Sequence, residues 1–303
     1  EMDYGFTENQ MMIKELAKKV AEEKAKPVRA ELDEKEEFPW GPMKAFTEAE
    51  LMGLYIPEEY GGFGGGTMEF CIAVEEISKI CGGIGVTFAA SALGCTPILL
   101  FGSDEQKKKY ITPIAKGEKL AAFGLTEPDA GSDAGATTTT ATKEGDHYIL
   151  NGKKHFITNA GEAEIYVVIA MTDKKKGARG ASAFIVEKGT PGFEFGKKEH
   201  KLGIRCSSTR ELLFENCKVP KENLLGKEGM GFIVAMKTLD RTRPGIAAQA
   251  VGIAAGALDE SIAYARQRLQ FGKPILTLQA IQHMLANMAT EVEAARALTY
   301  AVA

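Results

Sequence analysis

The sequence predicts an α+β fold in three parts: an N-terminal helical domain, a central antiparallel β domain, and a C-terminal helical domain. Two changes of texture carry the prediction. Near Leu120 helical periodicity gives way to short runs rich in Thr, Val, Ile and aromatics, and near Gly229 it returns. A third observation narrows the class: no strand pattern alternates with a helical one, which argues against a doubly wound parallel sheet. The divisions fall at residues 1–120, 121–228 and 229–303, and 303 residues suffice for several separate cores.

In the first part, Thr7 and Gln10 suit a capping box, followed by Ile13, Leu16, Ala17 and Val20 at helical spacing. Pro27 and Pro39 interrupt the pattern. A second helix is expected from Met43 to Met52, closed by Gly53 as a C′ residue. The stretch 57–67 reads as a glycine-rich loop that fails G-x-G-x-x-G spacing. Helices are expected from Met68 to about Cys81 and from Val86 onward, and Ser103 with Gln106 forms another capping box.

The central part predicts strands over 135–142, 147–150, 154–158, 165–171, 181–187 and 210–215, with Asn151-Gly152 as a two-residue hairpin turn. In the last part, Phe232–Leu239 leads to Pro244, where the helix should kink or restart. A final pattern uses Ile281, Leu285, Met288, Val292 and Ala295 and reaches Ala303 without a stop signal, so further sequence is expected beyond it.

Composition is that of an ordinary soluble protein, 45% hydrophobic and 26% charged, and no apolar run is read as a membrane span. A net charge of -4 offers nucleic acid no electrostatic footing. Five cysteines without a C-x-x-C pair argue against a disulfide framework or a zinc ribbon and for a reducing interior. No secretory signal is read at the N-terminus. The expected compartment is bacterial cytoplasm or mitochondrial matrix. The four histidines lack metal-ligand spacing, so no metal is expected, and neither a G-x-S-x-G elbow nor a Walker loop is present.

Three segments carry candidate chemistry. Phe123-Gly-Leu-Thr-Glu-Pro-Asp-Ala-Gly-Ser-Asp133 begins as an apolar strand and breaks at Pro128 into small residues. Such a loop lets backbone N–H groups and the Thr126 and Ser132 hydroxyls approach a flat ring or a phosphate. In isolation, an ordinary strand-to-turn transition is an equally good reading. His155-Phe-Ile-Thr-Asn-Ala-Gly161 places an aromatic and a hydroxyl at a strand end, to stack on a ring or to fill a core. Arg268 and Gln279 flank a helix break at Gly272 and Pro274, where a guanidinium can clamp a pyrophosphate or simply sit at a solvated helix end.

These three segments, in this order, resemble the acyl-CoA dehydrogenase family. The resemblance covers essentially the whole chain, including F-T-E-x-Q near the N-terminus, I-P-E-x-x-G-G, Arg205-Cys-Ser-Ser-Thr-Arg210, Lys218-Val-Pro-Lys-Glu-Asn223 and Asp240-Arg-Thr-Arg-Pro244. It is nearest the short- and medium-chain straight-chain branch.

The resemblance implies that the C-terminal helices are the first part of a four-helix bundle, with FAD bound between the β domain, that bundle and a neighbouring subunit in a homo-oligomer that is usually a tetramer. Phe123, Leu125, Thr126, Gly131 and Ser132 would lie along the flavin, with Ser132 also facing the CoA moiety. Phe156, Ile157 and Thr158 would cover one ring face. Phenylalanine stands at 156 where the family usually has tryptophan, which bears on flavin potential and acceptor docking. Arg268, Phe271 and Gln279 would reach a partner's FAD, and Asp240 and Arg243 the CoA portion. The implied reaction is α,β-desaturation of an acyl-CoA in fatty acid metabolism, with electrons passed to an electron-transferring flavoprotein. The alternatives are an acyl-CoA oxidase or a catalytically dead flavin-binding fragment. The family's base is a glutamate late in the bundle, expected beyond Ala303. A minority branch carries it where Thr242 stands here, and threonine cannot serve.

Overall fold

The computed structural model describes residues 5–303. Its helical first part comprises α1 (Glu8–Val20), a π-helical turn (Ala21–Ala25), α2 (Arg29–Lys35), α3 (Trp40–Glu48), α4 (Thr67–Ile80), α5 (Gly82–Phe101) and α6 (Asp104–Ala115). Both expected capping boxes form, at Thr7 with Gln10 and at Ser103 with Gln106. The second expected helix differs. α3 starts at Trp40 and ends at Glu48, and Glu50 rather than Gly53 takes the left-handed conformation. Gly53 lies in a short 3-10 turn, and its carbonyl accepts from Phe63 N–H as the glycine-rich loop folds back.

α5 is apolar nearly all round and is buried along most of its length, as a core helix must be. By length and composition α5 and the later helix Gly231–Gln267 are both apolar enough to cross a bilayer, contrary to the sequence reading, although 72% of the α5 window is buried by the rest of the protein. At Gly94 the α5 backbone approaches the first strand so closely that a Cβ would lie 2.5 Å from Ala122 N.

The central part is one eight-stranded sheet: β1 (Ala121–Gly124), β2 (Thr140–Glu144), β3 (His147–Thr158), β4 (Ile165–Met171), β5 (Ala181–Glu187), β6 (Phe193–Lys198), β7 (Thr209–Pro220) and β8 (Leu224–Leu225). The order is β6-β7-β3-β2-β4-β5-β8, with β1 also paired to β4. It is mixed rather than purely antiparallel, because β1 and the start of β2 run parallel to β4. The long return through β2 and β3 makes that geometry available.

β4 and β5 show the two-residue period of a strand at work on two cores. Tyr166, Val168, Ala170, Phe184 and Val186 face one core, shared with α4 and α5. Ile165, Val167, Ile169, Ala183 and Ile185 face the other, shared with α5 and α6. A strand buried on both faces reads as an unbroken apolar run.

The predicted Asn151-Gly152 hairpin is absent. β3 runs through it, with Asn151 paired to Thr140 and its Oδ1 accepting from Asn216 N–H. The turn lies earlier, at Gly145-Asp146, where the leading glycine has φ 61°. Gly152 instead marks a register shift against β7.

The last part holds α7 (Gly231–Gln267), a small hairpin β9 (Leu269–Gln270) and β10 (Lys273–Pro274), and α8 (Gln279–Val302). α7 continues through Pro244 without restarting. Its Gly252 and Gly256 let α4 pass at backbone contact, since a Cβ would lie 2.4 Å from Glu75 O or 2.2 Å from Lys79 O. α8 docks on α4 through Arg296 Nε, 2.8 Å from the buried Glu75 carboxylate, which also accepts from the Tyr300 hydroxyl.

The Gly94 contact yields a stability prediction. Gly94→Ala should cost about 1–3 kcal/mol by overpacking α5 against β1. Gly203→Ala, where a Cβ meets nothing, is the control. Thermal melts should show a lower midpoint for the first only; equal midpoints would contradict the close approach.

Candidate functional site

β1 delivers the chain into the loop that carries Leu125 and Thr126. A tight turn follows, in which Glu127 and Ala130 exchange N–H···O bonds of 3.0 and 3.2 Å across Pro128-Asp129. Phe123 is buried in the second core, Leu125 packs at its edge, and Gly131 and Ser132 are exposed. A Cβ at Gly131 would meet nothing, so that glycine faces open space. The segment predicted as the start of a strand at 135 is a 3-10 turn, and β2 begins only at Thr140. The reason is local: Thr138 N, Thr138 Oγ1 and Thr139 N donate to the Glu127 carboxylate at 2.7, 2.6 and 3.0 Å instead of to a neighbouring strand.

β3 meets this loop along its second half, and His155 N–H donates to Thr126 O at 2.8 Å. The pairing of β3 with β7 slips between Lys154 and Ile157. Within that bulge Phe156 has φ 57° and is 59% exposed. Bulges re-aim side chains, and an exposed aromatic held in the left-handed region is a strained arrangement. His155 packs edge-on against the Phe156 ring at 3.9 Å between centroids, and its Nδ1 lies 3.0 Å from Glu211 Oε1. Ile157 is buried in the first core, so the side chains offered outward are those of Phe156 and Thr158.

Beneath both segments lies a pair that sequence reasoning missed. The Lys154 side chain is 0% exposed and Glu127 1%, with Nζ 2.7 Å from Glu127 Oε1. The same ammonium donates to Leu125 O at 3.1 Å. Burial pushes the Glu127 carboxyl up, but the Lys154 charge and the bonds from Lys154, Thr138 and Thr139 outweigh it and hold the group down to about 2. Burial also dominates at Lys154, taking it down to about 8 against the pull of Glu127. The only sequence signal was position. Lys154 sits a whole number of strand periods from Leu150 on the core face.

The other predicted residues lie apart from this loop. Arg268 caps α7, and Phe271-Gly272 forms the turn of the β9–β10 hairpin with φ 52° and 76°. Two left-handed residues make a type I′ turn, which the sequence reading took only as a helix break. Phe271 is 88% exposed, and Arg268 and Gln279 are exposed as well. Among the described residues no hydrogen bond or ion pair joins these three to the loop after β1. Asp240 and Arg243 form an exposed i,i+3 pair at 3.1 Å on α7. Thr242 turns its hydroxyl back to Thr238 O at 2.9 Å. It lines a cavity of about 270 Å³ walled by Tyr55, Tyr60, Phe70, Thr96 and Leu99. The Tyr55 hydroxyl is buried in that wall, and burial holds its pKa well above the usual value.

The cradle after β1 suits a flat, polar-edged ring. The hydroxyls of Thr126, Ser132 and Thr158 make no hydrogen bond to the described residues, and an exposed aromatic ring stands beside them. The requirements of an isoalloxazine, which are donors at its edge and an aromatic or apolar cover, are met by these groups.

Comparison with known proteins identifies the family. The chain matches, in order, the acyl-CoA dehydrogenase N-terminal domain at residues 7–118, middle domain at 122–217 and C-terminal domain at 229–303. The short-chain specific acyl-CoA dehydrogenase of Clostridium acetobutylicum is 50% identical over 303 residues, which is 100% of this chain and 80% of that relative. The solved butyryl-CoA dehydrogenase from Megasphaera elsdenii superposes with a TM-score of 0.96 at 48% identity, covering 99% of this chain and 79% of that one. A chain from a structure of the electron transferring flavoprotein of Acidaminococcus fermentans gives 0.97 at 54% identity, with 99% and 79% covered. The fold and the matched domains are those of an FAD-dependent oxidoreductase. The chain belongs to the acyl-CoA dehydrogenase family.

The depressed Glu127 pKa fixes a pH dependence. A carboxyl that titrates near 2 in the folded state and near its ordinary 4.5 when unfolded adds stability above pH 4.5, lost as pH falls toward 2. Glu127→Gln should destabilise by about 3 kcal/mol at pH 7, since it leaves the Lys154 charge unpaired. The gap between the two thermal midpoints should narrow from pH 4.5 downward; a constant gap would show that the carboxylate is not held low.

Proposed function

We propose that the protein catalyses α,β-desaturation of a short acyl-CoA thioester and passes the electrons to an electron-transferring flavoprotein. The observation that carries this reading is the meeting of the 123–132 loop with the bulged end of β3, where unpartnered hydroxyls and an exposed ring flank one cradle. We assign Phe123, Leu125, Thr126, Gly131, Ser132, Phe156, Ile157 and Thr158 to FAD, with Phe123 and Ile157 acting through their backbones because their side chains are in the two cores. Bound there, FAD supplies the acceptor for the β hydride. Thr126 and Ser132 orient it through their hydroxyls, and Phe156 covers it against water.

Arg268, Phe271 and Gln279 are assigned to the FAD of a second copy, in a homotetramer. The exposed Phe271 ring and the exposed apolar residues Ile246, Ile253, Met284 and Leu298 on α7 and α8 support that assembly. Asp240 and Arg243 are assigned to the CoA portion, and the cavity beside Thr242 to the acyl chain. At about 270 Å³ the cavity is at the small end for ligand sites, and its aromatic walls favour a short chain. The Clostridium acetobutylicum relative is a short-chain specific acyl-CoA dehydrogenase, which supports the same choice.

Desaturation needs a carboxylate to take the α proton. The Thr242 hydroxyl donates within its own helix and is no base at neutral pH. Glu59, a carboxylate in the cavity lining, is exposed at the rim. We therefore assign the base to a glutamate outside residues 1–303. Five free cysteines support a reducing compartment, bacterial cytoplasm or mitochondrial matrix.

Anaerobic addition of butyryl-CoA to the FAD-loaded full-length protein should bleach the oxidised flavin absorbance, with palmitoyl-CoA much less effective. Absence of bleaching with every thioester in an acyl-length series would overturn the proposal.

A further inference from the structure

We infer that Lys154 is a positioning residue for the flavin: it polarises the Leu125–Thr126 peptide from beneath and locks the two flavin-facing segments together. The inference rests on the assignment of those segments to FAD made above.

Leu125 O and Thr126 N–H belong to one peptide unit. Its carbonyl accepts from the Lys154 ammonium at 3.1 Å. Its N–H has no acceptor among the described residues. In a trans peptide the two groups point in opposite directions, so an ammonium on the carbonyl side leaves a more strongly polarised donor on the other side. That donor is adjacent to the Thr126 hydroxyl, at the edge of the cradle.

The same lysine fixes the spacing between the segments. Through Glu127 it anchors the turn at Pro128 and the Thr138–Thr139 backbone. Through its own strand it sets His155, whose N–H holds Thr126 O at 2.8 Å. The bulge that exposes Phe156 begins at Lys154. Both edges of the cradle are therefore referred to one side chain. A buried ion pair is weak evidence for stability, because well-packed apolar residues often do as well. Its value here is geometric and electrostatic.

Loss of the ammonium should weaken the donor that stabilises added electron density on the ring, making the flavin harder to reduce. The test uses three variants of the full-length protein. Lys154→Arg keeps a charge. Lys154→Met removes it. Lys154→Met with Glu127→Gln removes both charges while leaving an acceptor for Thr138 and Thr139, so that no buried charge is stranded. Each is stripped of FAD, checked by thermal melting and titrated with FAD by fluorescence. Each reloaded flavin is then equilibrated with a reference dye to read its midpoint potential.

The double variant should melt cooperatively, bind FAD about tenfold more weakly or worse, and show a more negative midpoint potential. Lys154→Arg should recover part of both. If the double variant matches wild type in affinity and potential, the inference is wrong, whatever happens to Lys154→Met alone. Failure of the wild-type apoprotein to bind FAD would instead overturn the site assignment on which the inference rests.

Discussion

The candidate site depends on a single buried contact, the 2.7 Å pair between Lys154 Nζ and Glu127 Oε1. Neither charge reaches water. Every remaining lone pair and proton near them therefore has to find a protein partner. Leu125 O, Thr138 and Thr139 supply those partners, and all three lie on the loop that follows β1. The cost of stranding a charge in the interior thus becomes a restraint on loop geometry, which a run of apolar contacts cannot impose with the same directionality.

The rest of the fold holds this contact still. β1 is pressed against α5 at Gly94 and paired with β4 along its length. β4 and β5 are clamped between two cores, and α5 belongs to both. α4, α7 and α8 are joined by backbone contact at Gly252 and Gly256 and by the Glu75–Arg296–Tyr300 cluster. The helical parts therefore serve as supports on either side of a sheet in which the bulged end of β3 lines the cradle. The exposed hairpin with Phe271 stands away from that cradle, in keeping with a role toward a second copy.

Much of this was legible in the sequence because its signals are local. Capping boxes at Thr7 and Ser103 depend on residues three apart, and β4 and β5 match their apolar runs residue for residue. The candidate segments at 123–133 and 155–161 are contiguous in the chain, and were legible for the same reason. Features that depend on distant partners were not. Asn151-Gly152 has hairpin chemistry, yet β7 pairs along both sides of it and carries β3 straight through. Gly53 looked like a helix stop, but Glu50 absorbs the left-handed turn and frees the glycine for close packing. Lys154 could not be recognised as buried, because only the slip against β7 and a carboxylate 27 residues away decide its fate.

In the proposed assignment the ring of FAD lies against the Leu125–Thr126 peptide, under Phe156 and Thr158, with Arg268 and Phe271 arriving from another subunit. A crystal structure of the FAD-loaded full-length protein tests it directly. Density for the ring is expected in that cradle, with a hydrogen bond from Thr126 N–H to its polar edge and a neighbouring copy's hairpin on the pyrophosphate side. A ring seated elsewhere, or a cofactor held wholly by one chain's own Arg268 and Gln279, would contradict it.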